Sequence, residues 1–231
     1  MRYIGVDLHK TNFVVCFLSE DDKTKIETFT LNTAVLSRFK RRLQADDKLA
    51  AEASANTFYF YRQIKGSVRE IVVVDTYRFA IIARSKSKTD KKDATALARF
   101  LKLGCLPEVP VPSEQVDQLR HLLQARQSMV RMLTQLKNIG HAALVRSGYA
   151  MGRAAIKSKR ARGKLLNLEQ LTAVDRQIIE MSSRQMSQVE GEVSRLEVEI
   201  IERGKSLPGI KRLLQIHGLN LLVFHRSRFD E

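Results

Sequence analysis

Three short apolar segments open the chain, and their patterns are typical of β-strands. Segments 2–10 and 13–18 are joined by a tight connection, which predicts that they pair as a hairpin. Segment 25–31 alternates between two faces, as a further strand does. The sequence therefore predicts that three antiparallel strands begin the fold.

Helical and extended patterns then follow one another. Asn32 and Thr33 can cap a first helix, segment 48–53 is a short apolar strand, and Asn56 starts a second helix. The β-branched segment 71–74 is typical of a buried strand, and a further helix begins after Thr89. Three antiparallel strands followed by helix, strand, helix, strand and helix is the element order of a ribonuclease H-like α/β fold.

Two long helices make up the second half of the pattern. They are predicted at 113–147 and 168–203, with a basic, glycine-containing loop at 151–164 between them. Apolar residues in the second helix alternate at spacings of three and four, which is the pattern of a coiled-coil seam: Met186, Val189, Val193, Leu196 and Ile200. The two helices form either an antiparallel hairpin within one chain or a pairing between subunits.

Three prolines divide the chain between these halves. Pro107, Pro110 and Pro112 make segment 105–113 a stiff, extended linker. We therefore expect a metal-binding ribonuclease H/RuvC-like domain at 1–104 and an α-helical coiled-coil hairpin with its basic loop at 113–206. Residues 207–231 are expected to be the incomplete start of a C-terminal DNA-binding domain, and Ser227 within them is expected to belong to a polar tail.

The distribution of charge points to a polyanionic partner. The 231 residues carry a formal net charge of +15. Segment 71–103 has eight basic and three acidic residues and segment 104–166 has eleven and three, whereas 167–231 has nine and ten. A basic excess concentrated between residues 71 and 166 favours nucleic acid as the partner.

Other classes of protein are disfavoured by what the sequence lacks. No apolar run approaches the ~18 residues of a membrane helix, and no secretory signal opens the chain. Cys16 and Cys105 have neither the spacing of a zinc site nor a disulfide framework. We expect an intracellular, cytoplasmic protein that has no membrane partner.

Four carboxylates lie where such a fold would bring them together. Asp7 is at the edge of the first strand, Glu52 ends the fourth, and Asp90 and Asp93 share one face of the helix after the fifth. Local roles are open to them, because an aspartate near a turn bonds backbone amides and acidic residues suit a first helical turn. Asp75 is expected to be a plain N-cap. Two like charges on one face nevertheless favour a cation between them.

These motifs resemble a known family. Gly5-Val6-Asp7-Leu8-His9-Lys10, the lone Glu52 and Lys88-Thr89-Asp90-Lys91-Lys92-Asp93-Ala94 are similar to the DEDD-type transposases of bacterial insertion sequences related to the Piv DNA invertase. The resemblance implies that Asp7, Glu52, Asp90 and Asp93 are catalytic and bind Mg²⁺ or Mn²⁺. It also implies a dimerising coiled coil, a serine-bearing C-terminal domain and a structured guide RNA as a partner.

The expected function is therefore that of a transposase or site-specific DNA recombinase, with DNA and guide RNA as partners and a homodimer or higher oligomer as its state. The family continues past Leu207-Pro208 into the serine domain, so we expect a truncated copy. The alternatives are a RuvC-like metal-dependent nuclease and an inactive nucleic-acid-binding remnant that dimerises with a full-length copy. Phosphate contacts are expected from the basic residues Arg84, Lys86, Lys88, Lys91, Lys92, Arg153, Lys157, Lys159, Arg160, Arg162 and Lys164.

Overall fold

A computed structural model describes residues 1–82, 89–149, 152, 156 and 158–208. The chain divides into two compact units, Met1–Val111 and Pro112–Glu231. Several sequence predictions concern residues outside the described part: the phosphate contacts of Arg84, Lys86, Lys88, Arg153 and Lys157, and the segment 209–231 with Ser227.

The first unit is built on a five-stranded mixed sheet in the order β3-β2-β1-β4-β5. Strands β1, β2 and β3 pair antiparallel, while β4 lies parallel to both β1 and β5. This arrangement confirms the predicted mixed α/β architecture and fits a ribonuclease H-like domain. In chain order the elements are β1 Arg2–Leu8, β2 Asn12–Ser19, β3 Thr24–Thr30, α1 Thr33–Lys40, β4 Lys48–Glu52, α2 Thr57–Ile64, β5 Glu70–Val74, α3 Thr76–Ile82 and α4 Asp90–Leu103.

Alternating side chains of the sheet enter two separate layers of core. On one face, Ile4, Val6 and Leu8 pack with Phe39 of α1 and Phe60 of α2. On the other face, α4 covers the sheet, with Ala94 and Ala98 against Val14 and Cys16 and with Leu97 against Ala50. The sheet is thus covered on both faces, and on the second face α4 contacts the strands β1, β2 and β4.

Predicted caps fix the helix starts of this unit. The side chain of Asn32 accepts a hydrogen bond from the backbone nitrogen of Val35, and Thr89 accepts one from that of Lys92. Asp75 accepts one from the backbone nitrogen of Arg78, so its predicted N-cap role is confirmed. The residues after α4 do more than link two domains, because Glu108 forms an antiparallel bridge with Val74 and extends the sheet edge.

In the described part of the second unit there are two 33-residue α-helices and one short α-helix: α5 Glu114–Arg146, α6 Lys159–Leu165 and α7 Ala173–Lys205. Ion pairs show that α5 and α7 run antiparallel, since Arg126 near the start of α5 meets Glu197 near the end of α7 and Arg146 meets Asp175. Of the residues in the predicted seam, Met186 and Val193 pack in one core cluster with residues of α5, and Ile200 is also buried.

Two predictions for this unit were wrong in detail. Segment 151–164 was expected to be a loop, but its last six residues belong to α6, which follows the cap Ser158 and packs on α7. The second long helix was expected from residue 168 but begins at Ala173, because Thr172 caps it by accepting a hydrogen bond from the backbone nitrogen of Asp175. None of the helices in the described part of the chain is both long and apolar enough to span a lipid bilayer.

Candidate metal centre

The carboxyl ends of β1 and β4 bring the first two predicted carboxylates to one sheet edge. In the parallel pairing of these strands, Val6 lies opposite Ala51, so Asp7 and Glu52 are each the next residue along. Alternation along both strands places them on the face that α4 covers, two residues beyond the pair Gly5 and Ala50. Hydrogen bonds hold this end of β4, because the hydroxyl of Thr57 donates to the carbonyl of Glu52 over 2.6 Å.

Helix α4 supplies the other two carboxylates from its first turn. Asp90 follows the cap Thr89 directly, and Asp93 comes three residues later. Asp90 is exposed and Asp93 is half-buried. The side-chain oxygen of Asp90 lies close to Asp7, and the negative charges of both α4 carboxylates act on Asp7.

A histidine that sequence reasoning gave no role lies between Asp7 and Asp90. The Nε2 atom of His9 is 3.2 Å from an oxygen of Asp7 and 3.2 Å from an oxygen of Asp90. One ligand atom from each of these three residues lies within 4.8 Å of the other two. The signal in the sequence was the Asp7-Leu8-His9 spacing, since residues two apart at a strand end point to the same side.

The other predicted ligands do not join this tight group. Among the residues that the structure describes, neither Glu52 nor Asp93 belongs to a group of three or more ligand atoms this close to one another. The structure therefore brings Asp7, His9 and Asp90 together. Glu52 is the next residue after the partner of Val6 on β4, and Asp93 lies three residues after Asp90 on α4.

Burial dominates the electrostatics of Asp7, which is only 9 % exposed. Loss of hydration raises the pKa of its carboxyl above the ordinary 3.8; His9 opposes the rise, and the charges of Asp90 and Asp93 add to it. The two carboxylates of α4 thus add a repulsive negative charge to a carboxyl group that is already poorly hydrated. A divalent cation would relieve this repulsion.

The donor set fits a divalent cation. Ligand oxygens lie 2.0–2.6 Å from Mg²⁺ or Ca²⁺, so two ligands of one ion are at most about 5 Å apart, and the three donor atoms meet this limit. A second observation points the same way. Nε2 of His9 is buried and has no hydrogen-bond partner, alone in this among buried side-chain nitrogens and oxygens of the described residues.

The predicted phosphate-binding residues differ in exposure to solvent. On α4, Lys91 and Lys92 are exposed and line a groove of about 360 Å³ with Asp93 and Arg99. On α6, Lys159, Arg160 and Lys164 are exposed. All of these can reach a nucleic-acid backbone.

Arg162 was predicted to contact phosphate, and the structure shows that this prediction was wrong. Its side chain is completely buried, and its two terminal nitrogens donate to the two carboxylate oxygens of Glu190 over 3.0 and 2.9 Å. The hydroxyls of Ser183 and Ser187 accept two further hydrogen bonds from it. Its five donor hydrogens are directed into the protein, so it holds α6 on α7 and does not face a phosphate.

Comparison with known proteins agrees with the geometry. Residues 4–148 match the family model of DEDD transposases of the IS110 group, which is described as "Transposase". The chain is 32% identical over 97 residues to "Putative transposase y4qE" of Sinorhizobium fredii, covering 42% of this chain and 25% of the relative. It is 24% identical over 133 residues to "Transposase for insertion sequence element IS1533" of Leptospira borgpetersenii, covering 55% of this chain and 38% of the relative. The matched parts thus span well under half of these relatives. Because the family model covers more than half of the present chain, the chain belongs to the IS110 family of DEDD transposases.

Proposed function

We propose that Met1–Val111 is the metal-dependent strand-transfer unit of an insertion-sequence recombinase, in which Asp7, Glu52, Asp90 and Asp93 form the acidic catalytic set. The observation that carries this is the meeting of Asp7, His9 and Asp90, whose donor atoms lie within 4.8 Å of one another at the end of β1. Family membership and the relatives named as transposases support DNA as the substrate.

The chemistry proposed is phosphoryl transfer on the DNA backbone. Divalent cations, when bound, activate an attacking oxygen and stabilise the leaving oxygen of the phosphodiester. The carboxylates of this chain bind and orient the cations. Asp7, buried beneath α4, supplies a charge with little solvent screening, whereas Asp90 is exposed at the open side of the site. The basic groove along α4 lies beside Asp93 and can hold the phosphates that flank the reacting one.

The resemblance to the family is the reason for proposing partners other than DNA. A structured guide RNA and a second copy of the chain are proposed partners. Exposed lysines and arginines on α4 and α6 supply the phosphate-binding surface, which suits either nucleic acid.

A RuvC-like nuclease is the second candidate, because every candidate ligand lies within the one compact unit Met1–Val111. Such an enzyme would cut DNA with its own residues and release free ends. The two candidates therefore differ in their products, which are ligated or protein-linked DNA for a recombinase and nicked or broken DNA for a nuclease.

The test combines metal binding with DNA cleavage. Mn²⁺ binding is measured by calorimetry, and a labelled DNA duplex is incubated with the chain in Mn²⁺ or Mg²⁺. Asp90→Asn and Asp93→Asn are expected to weaken Mn²⁺ binding and abolish any strand cleavage without unfolding the chain. Glu114→Gln is the matched control, because Glu114 is also exposed in a first helical turn but belongs to α5.

The outcomes separate the candidates. Metal-dependent cleavage with free ends favours the nuclease, and transfer of label into joined strands favours the recombinase. DNA binding without metal binding identifies the chain as a nucleic-acid-binding remnant and refutes the proposed catalysis.

A further inference from the structure

The backbone of His9 is held more firmly than the end of a strand requires. Its amide donates to the carbonyl of Asn12 over 2.9 Å, which closes the turn into β2. The side-chain amide of Asn56, at the start of α2, donates to the carbonyl of His9 over 2.7 Å. These two hydrogen bonds, one at the amide and one at the carbonyl of His9, hold its main chain and therefore the point from which the imidazole leaves it.

The imidazole is exposed at one side, but its Nε2 atom is not. The side chain is 40% exposed, whereas Nε2 is shielded from solvent and has no hydrogen-bond partner. The two carboxylate oxygens 3.2 Å away, on Asp7 and Asp90, are placed without the alignment of a hydrogen bond. A buried polar nitrogen without a hydrogen-bond partner is destabilising.

The three donor atoms converge on one point without hydrogen bonds between them, and a cation at that point would stabilise all three. When the imidazole is neutral with its proton on Nδ1, Nε2 presents a lone pair, as do the two carboxylate oxygens, and in that state three lone pairs directed at a common point repel. A cation at that point turns each repulsion into a ligand bond. The same cation would leave the three donor atoms at the mutual separations that they already have.

We propose that Nε2 of His9 is a direct ligand of the divalent cation held by Asp7 and Asp90, and that this nitrogen makes the site prefer Mn²⁺ to Mg²⁺. The inference rests on the proposed metal-dependent function and names the ligand that sets its metal preference. Mg²⁺ prefers an octahedral shell of oxygens and keeps several waters, whereas imidazole is a better ligand for transition metals. An all-carboxylate site would lack this discrimination.

Pulsed electron paramagnetic resonance of Mn²⁺ bound to the full chain tests the ligand directly. A bound imidazole nitrogen gives a ¹⁴N hyperfine coupling, which is expected in the parent chain and is expected to change when the chain is labelled with ¹⁵N-histidine. This readout needs no variant and no DNA cleavage.

Variants then test the metal preference. His9→Gln is expected to remove the nitrogen coupling and weaken Mn²⁺ binding at least about tenfold, with a much smaller effect on Mg²⁺. His121→Gln is the matched control, since His121 is an exposed histidine on α5 in the other unit, and it is expected to leave both signals unchanged. Circular dichroism verifies that each variant is folded.

Different results would overturn the role of His9 as a ligand and the metal-dependent function on which it rests. Mn²⁺ that binds without a nitrogen coupling, in both the ¹⁴N and the ¹⁵N-labelled chain, overturns the role of His9 and leaves the carboxylate site standing. No Mn²⁺ binding to the parent chain at millimolar concentration overturns the proposed function together with it.

Discussion

Gly5 and Ala94 approach so closely that no side chain fits between them. A Cβ atom at Gly5 would overlap the carbonyl oxygen of Ala94 and lie 2.6 Å from the backbone nitrogen of Ala98. Helix α4 therefore rests on the main chain of β1. The absence of a side chain at Gly5 sets the height of α4 over the sheet and hence the distance from Asp90 to Asp7.

Gly5→Ala is expected to displace α4, because the atoms in the way belong to its backbone and cannot rotate aside. The free energy of unfolding should fall by about 1–3 kcal/mol or more, and Mn²⁺ affinity should fall with it. Denaturant titration and calorimetry measure the two effects. Gly191→Ala is the control, since no atom lies within 4 Å of the added Cβ in α7, and it should stabilise the chain by about 0.5–1 kcal/mol. An unchanged metal affinity in Gly5→Ala would contradict this role of the glycine.

Asp7→Asn is expected to stabilise the metal-free chain while abolishing metal binding. The folded-state pKa of Asp7 is raised, so the folded chain holds this proton more tightly than the unfolded chain. Stability therefore falls as pH rises from about 3.8 through the folded-state value, and at neutral pH the ionised group costs stability. Asparagine removes that cost.

Thermal unfolding at neutral pH, with chelator and then with Mn²⁺, measures both effects of Asp7→Asn. The parent chain should gain stability from Mn²⁺ by mass action, and the variant should not. A variant that is less stable than the parent in chelator would show that burial of the charge is not what raises the pKa.

Arg162→Ala is expected to cost about 3–5 kcal/mol of stability, because it leaves Glu190 without its partner in a largely buried place. Replacing both residues together, Arg162→Met with Glu190→Met, should recover most of the loss. Arg195→Ala is the control and should change stability by less than about 0.5 kcal/mol, since its pair with Glu192 is exposed. Urea denaturation followed by circular dichroism distinguishes these cases, and a loss in Arg162→Ala no larger than the control would contradict the buried pair.

Nucleic-acid binding by α6 is expected to depend on its exposed residues and on salt. Replacing Lys159, Arg160 and Lys164 by glutamine should reduce the slope of log K against log salt by about 0.9 for each phosphate that the variant no longer neutralises. Fluorescence anisotropy with a labelled duplex from low to moderate salt measures the slope. Arg195→Gln on α7 serves as a control for the removal of a positive charge, and an unchanged slope in the triple variant would exclude α6 from the interface.

Self-association remains a prediction, and the structure changes how it is tested. Val193 is buried between α5 and α7 of one chain, so Val193→Lys is expected to unfold this unit and gives no information about a dimer. Exposed apolar residues on the outer side of α5, Met132 and Ile139, are the better positions to replace by lysine. Light scattering at micromolar concentration should show an oligomer for the parent chain. A monomer would refute the prediction.

The sequence predicted those parts of the fold that depend on local pattern. Strand periodicity and the caps at Asn32, Thr89 and Ser113 located the elements, and strand ends located Asp7. Arg162 was misassigned because its partner Glu190 lies 28 residues away, and a charge count does not show whether an arginine is paired. His9 was overlooked because its role depends on the direction of one ring nitrogen. A coiled-coil seam has the same spacing whether it pairs within a chain or between chains.

The parallel pairing of β1 with β4 has a consequence for synthesis on the ribosome. Asp7 and Glu52 come from strands separated by β2, β3 and α1, and Asp90 is added only when α4 docks over Gly5. Closing such distant segments is slow compared with forming a hairpin. A nascent chain that has not yet released α4 from the exit tunnel therefore lacks Asp90 and Asp93 beside Asp7, so the proposed set of cation ligands is completed only after α4 has been synthesised and docked.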